Sequence, residues 1–127
     1  MKVFTAENLK EHRKAGVATF LNKRVSLLVR DNMVLKDEEG RFLAIPIRTL
    51  EKGVHIRVIN IYAPANTQEK KKFWEESIAK QMQRVKMRSS TRDRIIVGMD
   101  ANLTSEPRID NEWGSLEMED MQQVTKN

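Results

Sequence analysis

Along VHIRVINIY, residues 54–62, apolar side chains fall on both faces of an extended chain. Val54, Ile56 and Val58 share one face with Asn60 and Tyr62, and Ile59 and Ile61 take the other. A strand apolar on both sides belongs in the interior of a sheet. Upstream, GVATFL (16–21) and VSLLVR (25–30) read as strands, and NMVLKDEEGRFLAIPIRT as a hairpin turning near Glu38, Glu39 and Gly40. Pro46 within the second arm predicts an edge position or a bulge. Residues 5–14 are expected to form a short polar helix with Thr5 near its start. Pro64 ends the 54–62 strand, and Asn66 with Glu69 three residues later resembles a capping box opening a helix of about 20 residues. Trp74, Ile78, Met82 and Val85 recur at i, i+4, i+8 and i+11 and give that helix one apolar stripe, which marks core and not a cofactor box. SSTRD is a loop and IIVG (95–98) the next strand. Strand, helix and strand in this order predict an α/β fold with a crossover between parallel neighbours. Beyond residue 103 the chain turns polar, with a weak amphipathic stretch at 116–124 carried by Leu116, Met121 and Val124.

Charge adds to this picture through its distribution. Residues 67–94 hold nine Lys or Arg against Glu69, Glu75, Glu76 and Asp93, so they carry the whole formal charge of +5 and the remainder is neutral. A basic element of this kind is the footprint of a polyanion binder, although a solvated helix face has the same composition. The absence of Cys removes disulfides and thiolate zinc sites and fits an intracellular setting, nuclear or cytoplasmic. His12 and His55 are too far apart in sequence for a His-based metal site, and both are expected on the surface. No apolar run approaches the roughly 18 residues of a membrane span, so a membrane is not among the expected partners, and MKVFTAENLKEHRK lacks the apolar core of a secretory signal. A length of 127 residues suits one domain.

The candidate chemistry lies where IIVGMDAN closes. If the strand persists, Asp100 and Asn102 project to one side, a carboxylate beside a carboxamide at a strand exit. Taken alone, the pair more often caps a turn than makes a site. Three segments widen the view: DEEGR (37–41), NIYAPANTQEKKKFWEES (60–77) and IIVGMDANLTSEPRID (95–110). Their order and spacing resemble the endonuclease/exonuclease/phosphatase superfamily, which includes exonuclease III-like nucleases and DNase I. The likeness is strongest to the endonuclease domains of LINE-type retrotransposons. It covers residues 15–115, including Gly16-Val17, the Gly40-Arg41 hairpin, Phe73-Trp74 and an Asp at position 110.

That resemblance implies a four-layer αββα sandwich of the DNase I kind, here incomplete, with mixed β-sheets and one long crossover helix. It implies hydrolysis of phosphodiester bonds with Mg2+ and DNA as the partner. Asp100 resembles the residue that orients or deprotonates the attacking water, Asn102 one that holds the transition-state phosphate, and Tyr62 one near the scissile phosphate. Arg41 and Asn66 fall at substrate-contacting positions. An inserted residue in Tyr62-Ala63-Pro64-Ala65-Asn66, Ala101 between Asp and Asn, and Met99 before the Asp depart from the family pattern. No match to the family's metal-binding Glu precedes Gly16, and the closing Ser-Asp-His element has no counterpart. The 127 residues are therefore expected to be a partial domain, weakly active or inactive, with residues 116–127 unassigned. The remainder of a longer polyprotein, or a self-associating sheet edge, is a further expected partner. The alternative is a non-catalytic nucleic-acid-binding remnant using the basic helix 68–88. A phosphomonoesterase of the same superfamily fits the basic helix less well.

Overall fold

The computed structural model describes residues 1–11 and 13–102. The architecture is mixed α/β, with two sheets and a long helix. Strands β1 (Lys2–Glu7) and β2 (Gly16–Leu21) form an antiparallel two-stranded sheet. A single helical turn, α1 (Lys23–Ser26), and a 3-10 turn (Asp31–Met33) lead to β3 (Leu35–Lys36), β4 (Phe42–Arg48) and β5 (His55–Tyr62). The long helix comprises α2 (Thr67–Lys72), one wide π turn (Phe73–Ser77) and α3 (Ile78–Arg88), and β6 (Arg94–Asp100) follows it. The second sheet has the order β3-β4-β5-β6, with β5 and β6 parallel.

The long helix covers one face of the four-stranded sheet and the β1–β2 hairpin covers the other. Ile59 and Ile61 point to the helix, where they meet Phe42, Trp74, Ile78, Met82 and Val85, all buried. Ile56 and Val58 point to the hairpin, where Phe4, Ala6, Leu43, Ile45 and Ile47 make a second core. A buried Ile or Leu contributes about 1.5–3 kcal/mol over an exposed one, so both layers are held mainly by apolar area. The π turn lets two consecutive aromatic residues reach the core. Phe73 and Trp74 are both buried, with rings edge to face at 5.0 Å.

Asn66 caps the helix as expected, its side-chain oxygen accepting N–H bonds from Gln68 (2.9 Å) and Glu69 (3.1 Å). The hairpin turn also forms where expected. Asp37 Oδ1 accepts from the N–H groups of Arg41 and Phe42, and Gly40 takes φ +74°. Pro46 lies where β3 has already ended. Its carbonyl accepts from Arg30 on the side away from β5, and its ring nitrogen faces that same side, where no ladder bond is required.

Three expectations fail. Residues 5–14 are not a helix: Lys2–Glu7 is a strand, ended by an Asx turn in which Asn8 Oδ1 accepts from the N–H groups of Lys10 and Glu11. Burial of Phe4 and Ala6 on alternate positions outweighs the polar character of the segment. Residues 25–30 are not a strand, because Asn22 caps a helical turn and only Val29 bridges to β4, at Ile47. His55 is not a surface residue, since it is buried at the start of β5. His12, Asp110 and the 116–124 stretch lie outside the described residues.

Candidate functional site

Parallel pairing of β5 and β6 sets Tyr62 opposite Asp100. Neighbouring strands run about 4.8 Å apart, so the two side chains leave the sheet side by side on its hairpin-facing surface. Asn60 and Gly98 are the preceding pair on that surface. A Cβ built on Gly98 would meet nothing within 4 Å, and Asp100 is exposed, so the surface is open to solvent there. Asn60 bounds it on the hairpin side, donating to the carbonyl of Ala18 at 3.0 Å.

Arg41 supports Tyr62 from β4. Its Nη1 donates to the Tyr62 carbonyl at 3.3 Å and its guanidinium lies 5.2 Å from the ring centroid, while the Tyr62 N–H donates to the Arg41 carbonyl. Arg41 is itself buried, so it holds Tyr62 in place more than it presents a free charge. The adjoining cleft, about 390 Å³, is lined by Arg41, Lys14, Glu38, Glu39 and Glu69 among others, but not by Tyr62 or Asp100. Its mixed charge does not make an anion cradle.

The strand does not persist to Asn102. β6 ends at Asp100, and Asn102 turns into the left-handed region at φ +48°. The Asx turn that competed with the site reading is present, because the Asn102 N–H donates to Asp100 Oδ1 at 3.1 Å. Asn102 therefore does not project beside Asp100 along one strand face. Its side-chain amide donates to the carbonyl of Ala63, and the Ala63 N–H donates to the carbonyl of Asp100 at 2.9 Å. These bonds clamp the exits of β5 and β6 together. A carboxamide carries two N–H donors, so one remains after the bond to Ala63.

Lys70, which the sequence places among the solvated cations of the helix, is fully buried, with Nζ donating to the Asn102 carbonyl. The helix start thus holds the Asp100–Asn102 turn. Asn66 sits at the same end, its side-chain oxygen committed to the helix cap. Lys70 stands four residues before Trp74, so helical spacing puts it on the buried stripe although its charge argued for solvent, and the two-residue alternation of β5 likewise placed Asn60 on the face of Tyr62.

At the opposite end of the parallel pair, Asp93 accepts from the Arg57 guanidinium (2.9 Å), the His55 N–H (2.9 Å) and the Ser90 N–H (3.2 Å). Burial pushes the Asp93 carboxyl up, but these three donors outweigh it and hold the group below its ordinary value. Burial, then the Arg57 charge, lower the pKa of His55. Its Nε2 is buried without a hydrogen-bond partner among the described residues. This cluster is structural, distant from Tyr62 and Asp100.

Among the described residues, no group of three His, Cys, Asp or Glu is arranged to hold a metal ion. Asp100 can contribute one carboxylate to such a site, and the described residues do not complete it. No helix among them is long and apolar enough to cross a membrane. Compared with known proteins, the chain matches no family model and no curated protein.

Proposed function

We propose that the chain is part of a divalent-metal-dependent DNA phosphodiesterase of the retrotransposon endonuclease kind, with weak or no turnover by these 127 residues alone. The observation that carries this reading is the pairing of Tyr62 with Asp100 at the carboxyl ends of adjacent parallel strands, on an open face. Ligands of open α/β sheets bind at that end of the strands. The layer order of helix, four-stranded sheet and two-stranded sheet is compatible with three layers of a DNase I-like αββα sandwich.

In this reading the Asp100 carboxylate orients a water, or takes its proton, for attack on a phosphodiester. The Tyr62 hydroxyl and the remaining Asn102 N–H donate to phosphate oxygens as charge builds on them. Arg41 is a positioning residue for Tyr62, and Asn66 flanks the substrate path. Magnesium, when bound, would supply positive charge to the phosphate. The described residues do not form its full set of ligands.

Nicking of supercoiled plasmid by the purified chain tests the reading, with magnesium, with chelator, and with Asp100→Ala alongside. Slow chelator-sensitive nicking that falls about 10²-fold or more in the variant supports it. Nicking unchanged by Asp100→Ala rejects the site. A second reading is favoured by the exposed Lys71, Lys72, Lys80 and Arg88 of the long helix. A binding remnant would retard plasmid in a salt-dependent way that survives Asp100→Ala, with no hydrolysis at any metal concentration.

A further inference from the structure

The pole opposite Asp100 combines exposed leucines with positive charge. Leu27 is 75% exposed, Leu28 43%, and Leu50 fully exposed. Their backbone is ordered. The Arg48 N–H donates to the Leu28 carbonyl at 2.9 Å, and the Arg48 guanidinium donates to the Leu27 carbonyl at 3.1 Å and the Leu28 carbonyl at 3.4 Å. Leu50 lies two residues beyond Arg48, in a turn closed by the bond from the Thr49 N–H to the Val54 carbonyl. Two residues span at most about 7 Å, so the backbone of Leu50 stays close to that of Leu27 and Leu28. Scattered single apolar residues on a surface are ordinary, but a fixed group of three is not.

Lys23, Arg24, Arg30, Arg48 and Lys52 are exposed, each within four residues of one of these leucines along the chain. The neighbouring acids are engaged, Glu51 by Arg92 and Asp31 by Lys2. We propose that this pole docks on the surface of an anionic lipid bilayer. The leucines enter the boundary between headgroups and acyl chains, and the cations meet the anionic headgroups. Nucleic acid would satisfy the cations and leave the leucines against a polar backbone. A second copy of the chain would bring two cationic rims together.

The test is co-sedimentation of the full chain with vesicles of phosphatidylcholine, with and without phosphatidylserine. Leu27→Ser/Leu50→Ser and Lys23→Glu/Lys52→Glu are run beside the unaltered chain, their folding checked by urea unfolding. All four positions are exposed, so the fold tolerates both changes. Binding only to the phosphatidylserine vesicles, weakened about tenfold or more by either double substitution, is the expected result. The leucine arm is decisive, because the basic helix also attracts anionic vesicles. Binding that survives Leu27→Ser/Leu50→Ser overturns the proposal, as does no binding to phosphatidylserine vesicles. A concentration-dependent dimer that the leucine variant abolishes, or plasmid retardation that it abolishes, assigns the pole to a second copy or to nucleic acid and equally overturns it.

Discussion

Arg57 and Asp93 form an ion pair with 3% and 2% side-chain exposure, and His55 lies against it. A buried pair of this kind adds little net stability over apolar packing, because desolvation offsets much of its attraction. Its effect here is positional, since it ties the first residues of β5 to the loop that delivers β6. The same groups make stability depend on pH. His55 titrates lower in the folded protein than when unfolded, near 6.5, so the unfolded chain binds more protons as pH falls below that value. Its contribution is complete above about 6.5 and is lost as pH falls toward the folded value. Asp93, also lowered, contributes above its ordinary value of 3.8 and is lost as pH falls through its folded value. Urea midpoints should therefore decline in two acid steps, the first setting in as pH falls below about 6.5. His55→Gln should remove that first step and leave the second. A flat profile across the upper window in the unaltered protein would contradict the burial of His55.

Among the elements, those with the strongest periodicity were the most legible in sequence. β5 lies in the sheet interior with the two faces its alternation implied, and the Trp74–Val85 stripe is buried. The adjacency of Tyr62 and Asp100 followed from the same alternation once β5 and β6 were paired in parallel. Asn102 was not legible, because one left-handed residue redirects the chain and no hydrophobic pattern reports it. The first third of the chain was misread for a related reason. β1 covers only one face of the sheet, so Phe4 and Ala6 are its only buried apolar residues while Val3 stays exposed, and its alternation is weak. In VSLLVR an apolar run imitates a strand, yet Leu27 and Leu28 face outward after the Asn22 cap begins a helical turn. The DEEGR turn, by contrast, was legible, and it rests on one glycine. A Cβ on Gly40 would lie 2.6 Å from the Asn8 nitrogen and 2.8 Å from the Glu7 carbonyl carbon, both backbone atoms, and φ there is +74°. Gly40→Ala should lose about 2 kcal/mol or more in urea unfolding, from left-handed strain of roughly 1–3 kcal/mol plus displacement of the β1 exit. A loss under 0.5 kcal/mol would show that the 7–9 segment yields freely.

At the scale of the molecule, charge and candidate chemistry are on different faces. The helix packs on one side of the four-stranded sheet, and Tyr62 and Asp100 project from the other. Lys71, Lys80 and Arg88 are exposed on the helix, away from the core it covers. DNA seated over Asp100 would not lie along these cations, whose field acts on it only over distances comparable to the screening length, about 8 Å at physiological salt. Lys70 is the exception, because it turns inward to the Asn102 carbonyl and so links the helix to the site. Electrostatic capture of DNA is therefore expected to belong to the helix, and any hydrolysis to the opposite face. Lys71→Glu/Lys80→Glu/Arg88→Glu should weaken plasmid retardation and flatten its dependence on salt, by roughly 0.9 in logarithmic slope for each phosphate no longer neutralised. Asp100→Ala should leave that slope unchanged. Fluorescence anisotropy with a short labelled duplex across a salt series measures both variants. A slope untouched by the triple charge reversal would move the binding surface off the helix, and the open face of Tyr62 and Asp100 would then have to engage the phosphates itself.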